Sequence, residues 1–430
     1  MVNINNLTDV KTYAEIIAER YAPLSPRHLM PGECQTPLNK KCSLCFAGTL
    51  PYEPELRQKA EAVHVFWNAL EMPVSADPLI SSPAGRSYRI VSKRKAFIVN
   101  RRFFFGLIGV DDDSMKNYPM DIDRCAIEPD SHASVYRVIR NALQRKQQSN
   151  LVKEFNYVVV KGDDRECIVI FNMNHFSSAN RKEVNALSKL ITKNVPAVQG
   201  IFVFVDEERS EYYLSGTPRK GIRSNPRPLT KIFGREKLFH KIGDLKFLYS
   251  PLSFTQTNHT ILEHFVGRVQ RMLAVTKNDV VADLYCGYGL FSLSLAGAAG
   301  NVVAVEMSRS AINDGIDNAR RNAVTNTKFV CADITAESLE KILRRSPSKI
   351  LLDPPRNGTA PGVIECLADK KPQRVVHIFC NTEVIGKELY RWKQSGYRPV
   401  AAQPMDMFPG TRDIEFIVAL EPIVDSASLR

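Results

Sequence analysis

From about residue 259 onward this 430-residue chain alternates short apolar runs with helical stretches, and no other feature restricts its fold as much. Residues 260–273 have helical periodicity, and apolar runs follow at 280–284, 302–305, 328–330, 349–352 and 374–379. Runs this short, separated by helix-length segments, read as the strands of a parallel sheet with helices on both faces. The end breaks the rule. Residues 400–407 and 413–420 flank Phe408-Pro409-Gly410-Thr411 with no room for a helix, so the last two strands must run antiparallel.

Upstream the pattern is mixed. Residues 88–99 and 103–110 read as strands, 131–145 as a helix, 182–193 as a helix and 200–205 as a strand. Residues 155–160 and 166–171 suit a hairpin around Lys161-Gly162-Asp163-Asp164. Residues 10–21 and 55–70 have helical periodicity, and 34–54 is a loop bearing cysteine and proline. The expected organisation is an N-terminal segment (1–54), a central α+β domain (55–245) and an α/β domain (246–430).

Composition bears on location and partners. No run of 18 apolar residues is present and the first eleven residues lack an apolar signal core, so the expectation is a cytoplasmic protein with no membrane span. The formal net charge of +12 favours a polyanionic partner. Two clusters sharpen that reading. Arg86, Arg89, Lys93, Arg94, Lys95, Arg101 and Arg102 come without an intervening acid, with Tyr88 and Phe97 among them and Phe103-Phe104-Phe105 next. Arg219, Lys220, Arg223, Arg227, Lys231, Arg235, Lys237, Lys241 and Lys246 face only Glu236 and Asp244. Basic groups attract phosphates and aromatic faces stack on unpaired bases. A merely basic surface is the plainer alternative.

Chemistry gathers at the carboxyl ends of the expected parallel strands. Asp283-Leu284-Tyr285-Cys286-Gly287-Tyr288-Gly289 closes the first strand and opens a helix. Glycines there let a ligand approach the backbone, although a tight turn would look the same. Glu306 ends the second strand, where an acid can accept hydrogen bonds from both ribose hydroxyls of a nucleotide. Asp333 follows the third strand, Asp353-Pro354-Pro355-Arg356 the fourth, and Cys380 the fifth. Open α/β sheets bind ligands at this edge, and a thiol beside a cofactor loop suggests covalent catalysis. Cys286, Cys331 and Cys366 read as packed thiols. A second set, Cys34, Cys42 and Cys45, has the spacing C-x7-C-x2-C, which lets two thiolates reach one metal or cluster. A fourth ligand is then needed; Cys125 is the choice, because Cys167 lies mid-strand. Spacing alone leaves zinc, an iron–sulfur cluster and no metal all open.

Phe254-Thr255-Gln256-Thr257-Asn258, Asp283-Leu284-Tyr285-Cys286-Gly287, Asp353-Pro354-Pro355-Arg356, Cys380-Asn381 and Asp406-Met407-Phe408-Pro409 occur in this order. Together they resemble the RNA 5-methyluridine methyltransferase family over about residues 245–421, and less closely before that. The resemblance implies a Rossmann-like class I methyltransferase sheet with S-adenosyl-L-methionine as methyl donor. By it, Gln256, Tyr285, Glu306, Asp333 and Asp353 contact the donor, Cys380 is the nucleophile and Glu415 the general base. It also implies a [4Fe–4S] cluster on Cys34, Cys42, Cys45 and Cys125, with zinc as the alternative. That cluster resembles the ribosomal RNA branch more than the transfer RNA branch, and the chain would act as a monomer.

The implied chemistry needs one nucleophile and one base. Uracil C5 is a poor nucleophile until a thiolate adds to C6 and creates an enolate, and a base must afterwards remove the C5 proton. The chain departs from the family beside the base: Gly410 and Asp413 stand where relatives usually carry histidines, and Leu290 stands where many are polar. Two alternatives follow, a transfer RNA 5-methyluridine methyltransferase and a non-catalytic RNA-binding protein that retains the fold.

Overall fold

Continuous β-branched and aromatic runs form strands when both their faces are covered, and the runs at 155–162 and 167–173 are buried at every position. A computed structural model describes residues 11–20, 50–110, 116–144, 150–207, 209 and 229–424. Helices α1 (Tyr13–Arg20) and α2 (Tyr52–Ala69) come first. The first sheet contains β1 (Val91–Val99), β2 (Arg102–Val110), β3 (Asn117–Asp121), β4 (Phe155–Gly162), β5 (Cys167–Met173), β6 (Val198–Val205) and β7 (Thr230–Gly234). Its spatial order is β3-β2-β1-β4-β5-β6-β7, and only β5 and β6 pair in parallel. Helices α3 (Asp130–Gln144), α4 (Asn150–Glu154) and α5 (Ser178–Asn194) cover one face.

A hairpin of β8 (Leu238–Ile242) and β9 (Leu245–Tyr249) leads into α6 (Leu262–Leu273) and the second sheet. Its strands are β10 (Val280–Leu284), β11 (Asn301–Glu306), β12 (Thr327–Cys331), β13 (Lys349–Leu352), β14 (Arg374–Phe379), β15 (Tyr397–Met405) and β16 (Glu415–Pro422). Helices α7 (Leu290–Ala296), α8 (Arg309–Arg321), α9 (Ala336–Ile342), α10 (Val363–Asp369) and α11 (Ile385–Gln394) connect them. The order is β12-β11-β10-β13-β14-β16-β15, with β10 to β14 parallel and β16 antiparallel to both neighbours. The α/β class and the antiparallel end pair expected from the sequence are both present.

The two sheets are joined by a shared core. Residues alternate sides along a strand, so Val158, Val160 and Val169 face α3 and α5. Val159, Ile168, Ile170, Phe202 and Phe204 face the other way, onto a core that includes Tyr249, Phe265, Leu351 and Ile417. At roughly 1.5–3 kcal/mol per fully buried side chain, these five contribute on the order of 10 kcal/mol before entropy is counted. An apolar contact of that size holds the two sheets in a fixed relation rather than as freely moving units. A polar tie crosses the same seam: Lys161 Nζ donates to the carbonyls of Pro251 (3.0 Å) and Ser253 (2.6 Å), just ahead of Gln256.

Three features depart from the sequence reading. Strands β3, β7, β8 and β9 form where the sequence reading placed none; β8 alternates buried and exposed along its whole length. Helix α2 leaves the central sheet and packs under the second one, with the Trp67 ring stacked on Phe416 at 5.4 Å. The basic cluster at 86–102 is partly internal. Arg94 is buried in an ion pair with Glu128 (3.0 Å) and lies over the Tyr136 ring, Arg86 pairs with Glu55, and Tyr88 is buried. Lys93, Lys95, Arg101 and Arg102 are the members left exposed. Downstream, Arg235 pairs with Glu166, and Lys237 with Asp314 and Asp317; residues 219–228 lie outside the described residues.

Candidate active site

The strand ends of the second sheet bring the expected residues to one edge. Cys380 follows β14, and Glu415 opens β16. The antiparallel register pairs Ile378 with Ile417 and Phe379 with Phe416. Continued by one residue, it sets Cys380 across from Glu415. Asp353 follows β13, the other neighbour of β14, and its carboxylate accepts a hydrogen bond from Gln256 Nε2 at 3.2 Å. The Cys380 thiol points at the Pro354 carbonyl, 3.8 Å away. Nucleophile, acid and amide thus come from three separate loops.

The loop after β10 is shaped by its backbone. Tyr285 (φ +66°), Gly287 (φ +55°) and Gly289 (φ +89°) occupy the left-handed region, which glycine adopts without strain. A side chain at Gly287 would meet nothing within 4 Å, so space lies open above the loop. Glu306, at the end of β11, accepts hydrogen bonds from the amides of Gly287 (3.3 Å) and Ser308 (2.8 Å). Asp333 is exposed on the loop after β12. Phe254, two residues before Gln256, is 66% exposed.

Charge in this edge is unbalanced. Burial, with the carboxyls of Glu415 and Asp353 beside it, pushes the Cys380 thiol up to about 12, while Arg356 pulls it down. Burial also raises Glu415 far above the usual carboxylate range, helped by Asp353 and Asp413. Asp353 is pushed up to about 7 by burial and by Asp283. Asp283 is likewise pushed up to about 7 by burial, against a hydrogen bond from Ser292. Among the described residues, Asp283 Oδ1 and Glu415 Oε2 are buried without a hydrogen-bond partner. Crowded, half-satisfied carboxyls of this kind mark a site made to receive a polar or cationic ligand.

Two supports of the site were not visible in the sequence. Behind β14, Glu388 of α11 accepts from the Thr359 amide (2.7 Å) and hydroxyl (2.6 Å), which fixes the loop after Asp353. Trp392 Nε1 donates to His377 Nδ1 (3.2 Å), leaving the ring proton on Nε2, 3.2 Å from the Glu388 carboxylate. Below the base, buried Lys59 of α2 binds Asp406 (2.9 Å), Glu55 (2.9 Å) and the Phe408 carbonyl (3.1 Å). Burial works against its charge, but Asp406 and Glu55 hold the Lys59 ammonium above its ordinary pKa. Glu55 also accepts from the Gly410 amide, and Tyr88 donates to the Pro409 carbonyl. Apart from the Glu55–Lys59 pair, one turn apart on α2, these partners are remote in sequence, so no local pattern could announce them.

Of the expected metal ligands, Cys125 lies after β3 and packs with Tyr88, Ala126 and Ile127. Cys34, Cys42 and Cys45 lie outside the described residues. No group of three or more His, Cys, Asp or Glu side chains suited to a metal ion occurs among the described residues. No described helix is long and apolar enough to cross a membrane.

This geometry, a class I sheet with an acid-lined loop edge beside a thiol, is that of an S-adenosylmethionine-dependent methyltransferase. Comparisons with known proteins point the same way. A family described as tRNA (Uracil-5-)-methyltransferase matches residues 231–423. An uncharacterized RNA methyltransferase of Thermotoga maritima is 26% identical over 88% of this chain and 82% of its own length. The 23S rRNA (uracil(1939)-C(5))-methyltransferase RlmD of Marinomonas posidonica is 35% identical over 43% of this chain and 42% of its own length. The fold is similar to that of Pyrococcus abyssi tRNA (uracil-54, C5)-methyltransferase in complex with S-adenosyl-L-homocysteine. That match has a TM-score of 0.64 at 21% identity and covers 86% of this chain and 84% of the other. Residues 231–423 thus resemble the RNA (uracil-5-)-methyltransferase family, and the relatives mark the chain as an RNA methyltransferase, an enzyme.

Proposed function

We propose that this enzyme methylates carbon 5 of a uridine in 23S ribosomal RNA. The observation that carries the reading is the facing of Cys380 and Glu415 at the ends of adjacent antiparallel strands, beside Asp353. S-adenosylmethionine, when bound, supplies an electrophilic methyl group and a positive charge. The residues fit it. Glu306 is held by the Gly287 and Ser308 amides where ribose hydroxyls would reach it, and Gly287 leaves open space. Gln256, Tyr285, Asp333 and Asp353 would complete its surroundings.

The chain's own groups then divide the work. The Cys380 sulfur bonds to uracil C6, and the displaced electron pair moves to O4 as an enolate. The enolate pair would return through C5, which would take the methyl group as its bond to the donor's sulfonium breaks and leaves a neutral thioether; the Glu415 carboxylate then removes the C5 proton. The C6–S bond breaks, restoring the ring and releasing the thiolate. One nucleophile and one base, each poised for its own step, suffice. Burial favours the neutral form of both groups, so a cationic ligand beside them would promote the ionised forms that react.

The test is a comparison of 5-methyluridine positions in RNA from cells with and without the gene. One uridine of the large ribosomal RNA should lose its methyl group. Loss confined to a transfer RNA would assign the other RNA class, and no loss anywhere would leave a binding protein.

For the cysteines, the reading is a [4Fe–4S] cluster on Cys34, Cys42, Cys45 and Cys125. It is supported by the place of Cys125 against Tyr88, whose hydroxyl holds the loop that leads to Glu415. The methylation moves no electrons through a metal, so the cluster would brace this corner. Protein purified without oxygen should absorb near ~400 nm, as iron–sulfur charge transfer does, and Cys125→Ser should lose that band. Bound zinc in place of iron would refute it.

A further inference from the structure

The loops that carry Asp353, Cys380 and Glu415 meet at Arg356. It lies three residues after Asp353, and its backbone carbonyl accepts a hydrogen bond from Asn381 Nδ2 (3.0 Å), next to Cys380. Its guanidinium pairs with Asp413 Oδ1 at 2.7 Å, two residues before Glu415. The pair bridges the mouth of the site and stands in water, Arg356 63% and Asp413 37% exposed.

An exposed ion pair contributes little to stability, so another anion can replace it at small cost. A phosphodiester is a better partner than a carboxylate on that scale: it offers two oxygens to the planar guanidinium fork and joins a polyanion. An RNA strand that delivers a base to Cys380 must pass this mouth. There it would meet a cation it attracts and a carboxylate it repels. Resting on the reading of this site as an RNA uridine methyltransferase, we propose that Arg356 reads a phosphate beside the target nucleotide and that Asp413 holds its place in the free enzyme. RNA binding exchanges one partner for the other; no covalent bond changes. A phosphate placed away from the guanidinium gains nothing from the exchange and still meets the carboxylate, so Asp413 trades some affinity for discrimination.

The exchange is tested by fluorescence anisotropy with the full-length enzyme and a labelled 23S ribosomal RNA fragment that contains the mapped uridine. Binding is measured across a salt series for wild type, Asp413→Asn, Arg356→Ala and the double variant. Asp413→Asn should bind about threefold to tenfold tighter, because one repelling charge and one competitor are gone. Arg356→Ala should bind about tenfold more weakly and lower the slope of log affinity against log salt by about 1. Arg356→Lys should retain the slope but recover only part of the affinity. In the Arg356→Ala background, Asp413→Asn should tighten binding by clearly less, because only the repulsion is then removed and there is no guanidinium to release.

A structural brace would behave differently. Weakened binding in Asp413→Asn, or equal tightening with and without Arg356, overturns the proposal. Failure of the wild type to bind overturns it together with the enzymatic reading. Covalent capture of 5-fluorouridine RNA by the wild type separates the two ideas. Capture with no coupling between Arg356 and Asp413 sinks the exchange alone, whereas coupling without capture sinks the uridine chemistry and leaves the phosphate contact.

Discussion

Cys380→Ser is expected to lose methyl transfer by ~10⁴-fold or more while the protein folds and binds RNA as before, because removing a covalent nucleophile removes the pathway and not only a contact. A serine hydroxyl does not ionise in the range where a thiol does, and it adds poorly to C6 of a pyrimidine. The cost to the fold should be small. The thiol sits at a strand end, only half-buried, and its contact with the Pro354 carbonyl is long, at 3.8 Å. Transfer of labelled methyl from S-adenosylmethionine to RNA reads the activity, and a thermal melt reads the fold. Retention of even a hundredth of the wild-type rate in a fully folded variant would remove Cys380 from the mechanism.

Glu415→Gln should give the opposite phenotype, arrest after bond formation. Without a base for the C5 proton, the Cys380–C6 bond forms and cannot be released, so covalent protein–RNA complex accumulates on ordinary uridine. Turnover should fall about 10²- to 10⁴-fold, the usual contribution of a general base. The same variant carries a second signature. A carboxyl raised above its ordinary value of 4.5 on folding takes up protons, so the wild type loses stability as pH rises above that value. Glutamine has no such proton to give up. Its melting temperature should therefore fall less than that of wild type between pH 5 and pH 8, a window that Asp353 and Asp283 share in both proteins. A variant that turns over freely and forms no adduct would assign the base elsewhere.

Much of this was legible before any coordinates, for physical reasons that also explain the remainder. The parallel sheet was readable because strand and helix periods are local signals, and Asp283, Glu306, Asp353 and Cys380 all stand where strands end. The antiparallel end pair was readable because the loop at 406–413 is too short for a helix. The register across that pair was not, and it is the register that sets Cys380 against Glu415. Charge misled in one place. Arg94 stands among exposed basic residues in sequence, yet it is buried with Glu128, whose distance along the chain no composition argument spans. Arg356 and Asp413 were each visible, one in a motif and one as a departure from it, but their pairing belongs to the folded molecule.

The bond from Lys59 to Asp406 joins residues 347 positions apart. It has a consequence in time. Ribosomal synthesis makes the helix that carries Lys59 early and the loop that carries Asp406 late, so the floor under Glu415 cannot exist until the chain is nearly all made. Until then Phe66 and Trp67 lack Phe416, their aromatic partner on the last strand. Long loops must close before such contacts reward the chain, which slows folding and leaves sticky surface open meanwhile. The catalytic edge is thus among the last parts to be assembled, and a chain cut short before it would offer RNA a basic surface with no chemistry behind it.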